Sequence, residues 1–416
     1  MTPSARMQAA IEILEALDHT DQAADRFLRD WFRARRYAGS KDRAAIGERV
    51  FGILRHRASL AWRLQSEAPR ALLIASLIKE GSAPDELFNG SRYGPAALNE
   101  AERAALAREP DDPPLRVKGE FPAFLEAELA RAFGDDLLEE MRALNARASI
   151  DLRVNTLKAT RDEVLLELRN AGFAAGPTPY APYGIRLTER EKASQLRSTR
   201  AFLDGRFEFQ DEAAQIAAGL CAAKPGMRIL DLAAGAGGKA LALAADMRNE
   251  GEIVARDNDA ARLAQLPPRV ARAGVTIIRE QLADAGLPER GFDAVFVDAP
   301  CSGSGAWRRQ PEQKWRLTPA RLTALQNVQD KLLDEAAHAA RGRIVYATCS
   351  ILPGENEDRV ESFRARHPEF RIVQTDAVWR ERIGTSAPPG MGAFFKATPR
   401  TTGTDGFFTA VLMRTV

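Results

Sequence analysis

The chain is poor in cysteine and histidine, with three and four in 416 residues. Three thiols are too few, and odd in number, for a disulfide framework, so a reducing compartment is expected. No histidine stands at ligand spacing from a cysteine, so no metal is expected. Long apolar runs are missing as well. No stretch approaches the length of a membrane span, and the start, MTPSARMQAAIEILEAL, lacks the layout of a secretory signal. A cytoplasmic protein without a membrane partner is expected. Net charge is scarce, at +2. That value neither implies nor excludes an acidic partner, because charge can be segregated along the chain.

What is present is ample core material: 45% of residues are hydrophobic, against 28% charged. The length exceeds one ordinary core and implies two or three domains. Residues 1–105 carry apolar side chains at spacings of three and four, as amphipathic helices do. Between Arg26 and Arg57 stand ten Lys or Arg against Asp30, Asp42 and Glu48, interleaved with Phe27, Trp31, Phe32, Tyr37 and Phe51. This pattern fits a bundle with solvated arginines, and equally a basic face that tracks phosphates. REPDDPPLRVKGEFP (108–122) reads as a linker. A helix–strand–helix pattern follows, in which Thr160 caps the helix ended by Gly172. From residue 201 strands and helices alternate. Strands are expected over 227–234, 251–257, 275–280, 292–300 and 343–350, implying a doubly wound, mainly parallel sheet with its ligand at the carboxyl ends of the strands. The tail FFKATPRTTGTDGFFTAVLMRTV reads as an antiparallel hairpin at the sheet edge.

ILDLAAGAGGKA (229–240) closes the first of these strands and opens a helix. Gly235 and Gly237 allow close backbone approach, and a helix N-terminus behind them offers free N–H groups. Asp257, at the tip of the next strand, is placed to bind ribose hydroxyls. Gly235, Gly237 and Ala240 satisfy the dinucleotide pattern. With Asp231, the same loop also satisfies the D-x-x-x-G-x-G layout of S-adenosylmethionine (AdoMet) sites. The loop alone does not choose between NAD and AdoMet.

The fourth strand chooses. VFVDAPCSGSG (295–305) puts Asp298 and Cys301 at one strand tip, and YATCS (346–350) puts Cys349 at another. Adjacent parallel strands bring both thiols to the ligand edge. A lone Cys349 would read as a core filler, and so would Cys221 on its apolar helix face. A convergent pair beside a nucleotide site reads as chemistry, and a dehydrogenase leaves it unexplained.

DAPCSGSG, YATCSILPGENE and FQDEAAQ (209–215) resemble motifs of the RNA 5-methylcytosine methyltransferases of the RsmB/NOP family. RVFGILRHRASLAWRL resembles the NusB-like domain of its RsmB/Sun branch. LRVNTLKATRDEVLLELRNAGF resembles the module placed before the catalytic domain, and GTDGFF resembles the C-terminal hairpin. The resemblance spans essentially the whole chain. It implies an all-α NusB-like RNA-binding domain (1–118), a small α+β module (119–200), and a doubly wound α/β, class I (Rossmann-like) methyltransferase domain (201–416).

The resemblance further implies that Cys349 adds to C6 of cytosine and Cys301 serves release of the adduct. Asp298 would bind the base at its N3 edge, and Lys239 would add positive charge beside the site. AdoMet would be held by Asp231, Ala233, Gly235, Gly237, Gly238, Lys239, Asp257 and Asp298, with Asp284, or else Glu280, addressing the adenine. The loop departs from the family's C-A-A-P-G-G-K: Ala236 stands at the proline position, and Gly235 restores the general AdoMet layout. WRRQPEQKWRLTP (307–319) matches R-R-x-P-x-x-K-W, from which Arg308, Arg309 and Lys314 are expected on phosphates, with the tryptophans either packed or stacked on bases. The expected substrate is small-subunit rRNA, with tRNA as the alternative, bound by a monomer. An RNA-binding assembly factor without efficient methyl transfer is the rival class.

Overall fold

The computed structural model describes residues 1–189, 193–284, 286–384 and 386–415. It divides into two compact units, Met1–Ala146 with Trp307–Leu317, and Arg147–Ala306 with Thr318–Val416.

The first unit is helical. Helices Pro3–Leu17, Ala24–Ala34, Ser40–Arg55, Arg57–Leu64 and Pro69–Lys79 enclose a core of Ile13, Leu14, Trp31, Phe32, Ile46, Ile53 and Leu73. The aromatic residues Trp31 and Phe32 of the basic stretch thus turn inward, while Arg26, Arg29, Arg33 and Arg36 remain exposed. The segment Trp307–Leu317 belongs to this unit and overturns an expectation. Lys314 is fully buried, Arg308 nearly so, and Trp307 is 1% exposed. Lys314 Nζ donates to Asn145 Oδ1 at 2.8 Å, Trp315 Nε1 donates to the Leu54 carbonyl at 2.6 Å, and Glu312 accepts from the Ala24 N–H at 3.0 Å. The R-R-x-P-x-x-K-W run therefore packs the helical unit, and Lys314 and Arg308 are out of reach of phosphates. Burial lowers the Lys314 pKa to about 7, with Glu120 opposing.

The second unit holds two sheets. In the smaller one, β1 (Ile150–Val154), β2 (Ala175–Pro177), β3 (Gly184–Leu187) and β4 (Phe207–Phe209) run in the order β2-β3-β1-β4, all antiparallel. Leu152 and Val154 pack on helix Arg161–Asn170, whose N-terminus Thr160 caps reciprocally with Glu163. Gly172, at φ +79°, ends that helix.

The larger sheet is built from β5 (Arg228–Leu232), β6 (Glu252–Asp257), β7 (Ile278–Leu282), β8 (Phe292–Asp298), β9 (Ala340–Thr348), β10 (Phe370–Val373), β11 (Phe395–Ala397) and β12 (Phe407–Arg414). Its order is β10-β12-β9-β8-β5-β6-β7, parallel from β9 to β7, with β11 also paired to β12. β11 and β12 form the expected hairpin, but not at the edge. β12 inserts antiparallel between β9 and β10, and its run FFTAVLM is correspondingly apolar. Sequence order reverses across β5 and β8, so the site lies where the chain after β5 meets the chain after β8.

Candidate active site

At the tip of β5 the chain turns through Ala233, Gly235 and Gly237, at φ +69°, +57° and +75°. A Cβ on Gly237 would lie 2.1 Å from Leu266 Cδ1, so only glycine fits there. Ala233 accepts the left-handed conformation at a cost of about 1–2 kcal/mol. Gly237 precedes helix Gly238–Asp246 with no side-chain cap, which leaves the first N–H groups without intrahelical partners. Asp257, at the tip of β6 and 3% exposed, braces this turn. Its Oδ2 accepts from the Gly235 N–H at 2.6 Å and its Oδ1 from the Asp259 N–H at 2.8 Å. Each oxygen keeps a further lone pair for a hydroxyl. A turn open to backbone approach, an uncapped helix start and a fixed acid together fit the methionine and ribose parts of AdoMet.

Of the two candidates for the adenine, Glu280 lies inside β7, opposite Ala255. Asp284 follows Ala283, whose N–H donates to the Asp257 carbonyl at 3.1 Å, so it stands just past the strand tips. Both are exposed. Asp231 is fully buried, with the Ala240 N–H as its nearest hydrogen-bond donor among the described residues. Burial, and next the charge of Asp298, push its pKa up to about 7 against the pull of Lys239.

β8 and β9 run parallel with Asp298 opposite Ala347, which brings their two loops together. Cys301 Sγ and Cys349 Sγ are 3.4 Å apart, both half-buried. Lys239 Nζ donates to Asp298 Oδ2 at 2.6 Å and lies 5.5 Å from the centre of the Phe407 ring. Burial opposes the charge on Lys239, but Asp298, and then Cys349, outweigh it and raise its pKa. The Cys301 pKa is pushed well up by its hydrogen bond to Cys349, by burial and by the nearby charges of Cys349 and Glu355. Cys221 is 1% exposed, its thiol pushed up to about 12 by burial, and it belongs to the core.

Several supporting residues lie in the quoted motifs but are assigned no role there. Gly305 and Gly406 pack back to back: a Cβ on Gly305 would lie 2.0 Å from the Gly406 carbonyl oxygen, and the Gly406 N–H donates to the Gly305 carbonyl at 2.9 Å. That packing explains why the small-residue loop after Cys301 and the D-G-F-F turn belong together. Glu355, in PGENE, is buried and accepts from the residues that follow both cysteines. Its sequence cue is its place in the YATCSILPGENE run, five residues after Ser350. FQDEAAQ is structural. Asp211 caps helix Glu212–Gly219 and accepts from the Asp405 N–H, and Glu212 accepts from the N–H groups of Tyr180 and Ala181. Burial raises the Glu212 pKa, against those hydrogen bonds.

The model of the family described as 16S rRNA methyltransferase RsmB/F matches residues 218–413, and that of the RsmF/B-like ferredoxin-like domain matches residues 121–193. Ribosomal RNA small subunit methyltransferase B of Salmonella newport is 30% identical over 409 residues, covering 90% of this chain and 91% of that protein. The chain belongs to the RsmB/F methyltransferase family. Its cofactor is AdoMet. The same-named protein of Salmonella paratyphi B is 33% identical over 300 residues, 70% of this chain and 66% of that relative, just under two thirds of its length. Among solved structures, the crystal structure of PH0851 covers 99% of both chains, with a TM-score of 0.78 and 25% identity. The fold class expected from the sequence is thereby borne out: a helical N-terminal region, a ferredoxin-like α+β module and a C-terminal α/β methyltransferase sheet.

Proposed function

We propose that this RsmB/F-family enzyme methylates C5 of a cytosine in small-subunit ribosomal RNA through a covalent bond between Cys349 and C6. The observation that carries this reading is the thiol pair, 3.4 Å apart, beside the Lys239–Asp298 ion pair at the glycine-loop end of the sheet. C5 of cytosine is a poor nucleophile. The Cys349 thiolate forms an S–C6 bond, and the electron pair of C5=C6 moves onto C5 and towards N3. Asp298 hydrogen-bonds the base at its N3 edge, and the Lys239 ammonium balances the developing charge. AdoMet supplies an electrophilic methyl group for C5. Cys301 serves release. Once its own proton has gone to solvent, its thiolate takes the C5 proton, C5=C6 re-forms, and the C6–S bond breaks with its electron pair returning to Cys349.

Both cysteines stand just past the tips of adjacent strands, which suits a base flipped into a fixed pocket. The names of the relatives support ribosomal RNA as substrate. The roles of the cysteines are tested by single substitutions. Cys301→Ala is expected to accumulate a protein–RNA complex that survives denaturing gels, and Cys349→Ala to form none. An adduct in the Cys349 variant overturns the assignment. The substrate is tested by bisulfite sequencing of 16S rRNA and tRNA from a deletion strain. Loss of a tRNA site with all 16S sites retained overturns the ribosomal reading.

A further inference from the structure

We infer that Glu355 is a positioning residue for the thiol pair: one buried carboxylate that pins both cysteine loops and sets a fixed negative charge on the Cys301 side. The inference rests on the reading of Cys301 and Cys349 as the working pair. Glu355 ends the turn Pro353–Glu355 that follows β9 and is fully buried. Its Oε1 accepts from the Ser302 N–H at 2.8 Å and from Gln329 Nε2 at 3.0 Å. Its Oε2 accepts from Ser302 Oγ and Ser350 Oγ, each at 2.5 Å. Ser302 adjoins Cys301 and Ser350 adjoins Cys349, so a single side chain ties the two loops into one register. Gln329 also donates to the Pro300 carbonyl at 2.9 Å, which extends the clamp to the residue before Cys301.

No cation pairs with Glu355 among the described residues; its charge is held by N–H and O–H donors alone. That charge remains as a local field. The groups around the pair are arranged unevenly. Glu355 accepts twice from Ser302, next to Cys301, and once from Ser350, next to Cys349, so its carboxylate is bound more closely to the Cys301 loop. Lys239, paired to Asp298 and in the field of Asp231, lies in the field of Cys349. Tyr346, whose hydroxyl donates to the Glu355 carbonyl at 2.6 Å, stays neutral because burial pushes its pKa well up. A negative charge on one side and an ammonium on the other polarise the pair.

The test separates charge from geometry. Glu355→Gln keeps the size, and the serine hydroxyls can turn to accept from the new amide, so the loops stay joined while the charge is lost. The readout is iodoacetamide alkylation of the two peptides by mass spectrometry across a pH series of roughly 6–10, spanning the ordinary thiol range, on the full chain without RNA. The wild type is expected to alkylate at Cys349 first. In Glu355→Gln the preference should fall at least fivefold, with Cys301 alkylation moving to lower pH. An unchanged preference and pH profile in a folded variant overturns the inference. Glu355→Asp keeps the charge but is too short to reach both loops. It should retain the alkylation preference and lose at least tenfold in the rate of adduct formation, and an unchanged rate overturns the pinning role even if Glu355→Gln fails to fold. Because alkylation needs no RNA, its failure is distinguishable from failure of the proposed methylation.

Discussion

The brace between Asp257 and the glycine loop can be weighed directly. Asp257→Asn is nearly isosteric but carries one acceptor and one donor where the acid has two acceptors. The native oxygens accept from two backbone donors, Gly235 N–H at 2.6 Å and Asp259 N–H at 2.8 Å. Whichever way the amide turns, its NH₂ faces one of these N–H groups, and one charge-assisted hydrogen bond disappears. A hydrogen bond to a charged group contributes about 1.5–3 kcal/mol. If that brace holds the loop in its binding form, AdoMet affinity should fall about 10- to 150-fold. A weaker hydrogen bond from the ribose to the neutral amide adds to this. Titration calorimetry of AdoMet into both proteins measures the change, and the melting temperature checks that the fold survives. An affinity within threefold of the wild type, in a folded protein, would refute the reasoning, because the acid would then be neither brace nor ribose ligand.

Lys314→Met should make stability less dependent on pH. The buried lysine has its pKa depressed from 10.5 to about 7, so the unfolded chain binds more protons between those values, and wild-type stability rises with pH across that window. Over about two pH units above 7 the wild type should gain on the variant by about 2–3 kcal/mol in urea denaturation, and parallel curves would show that Lys314 is not buried uncharged. Gly406→Ala would place a Cβ 2.6 Å from Gly305 Cα and 2.5 Å from Ile351 Cγ2. Backbone atoms cannot yield there, so a loss of about 3 kcal/mol in denaturation is expected, together with a drop in adduct formation because Gly305 belongs to the loop after Cys301.

The sequence announced those parts of the molecule whose signals are local. Strand tips followed by Gly, Ser or Pro mark the ends of β5, β8 and β9, and the parallel alternation alone brings Cys301 and Cys349 together. Thr160 and Gly172 mark their helix because capping is set within a few residues of each end. The failures involve pairings between distant positions. Lys314 and Trp315 meet Asn145, Arg55 and Leu54 at separations of 169 to 261 residues. A cation between tryptophans reads alike in sequence whether its ammonium faces a phosphate or a buried amide. β12 shows the same limit: its apolar run predicts a strand, but nothing local says that FRIV at 370–373 will cover its other side. Glu355 stands in an acidic, turn-forming stretch where solvation is the ordinary expectation, and only the approach of two serines from separate loops makes it a buried anchor.

The carboxylates around the site divide by what holds them, and that division bears on mechanism. Asp257 and Glu355 are both buried: Asp257 is held by two backbone N–H groups with the Arg262 guanidinium 4.0 Å away, and Glu355 by the Ser302 N–H, two serine hydroxyls and the Gln329 amide. Each acid holds at least one backbone donor, which does not dissociate without leaving a peptide group unpaired, so both fasten the loops around them, Asp257 the glycine loop and Glu355 the two cysteine loops. Asp298 differs. Its side chain is 32% exposed, and its partner is the flexible Lys239 side chain. An ion pair of this kind can open, or admit a third polar group, without disturbing the sheet. Asp298 is thus the carboxylate able to exchange part of its bonding with an incoming base, while Lys239 retains Cys349 as a second electrostatic partner. In the proposed mechanism the rigid acids would then set where the sulfur and the cofactor stand, and the exchangeable pair would meet the base between them.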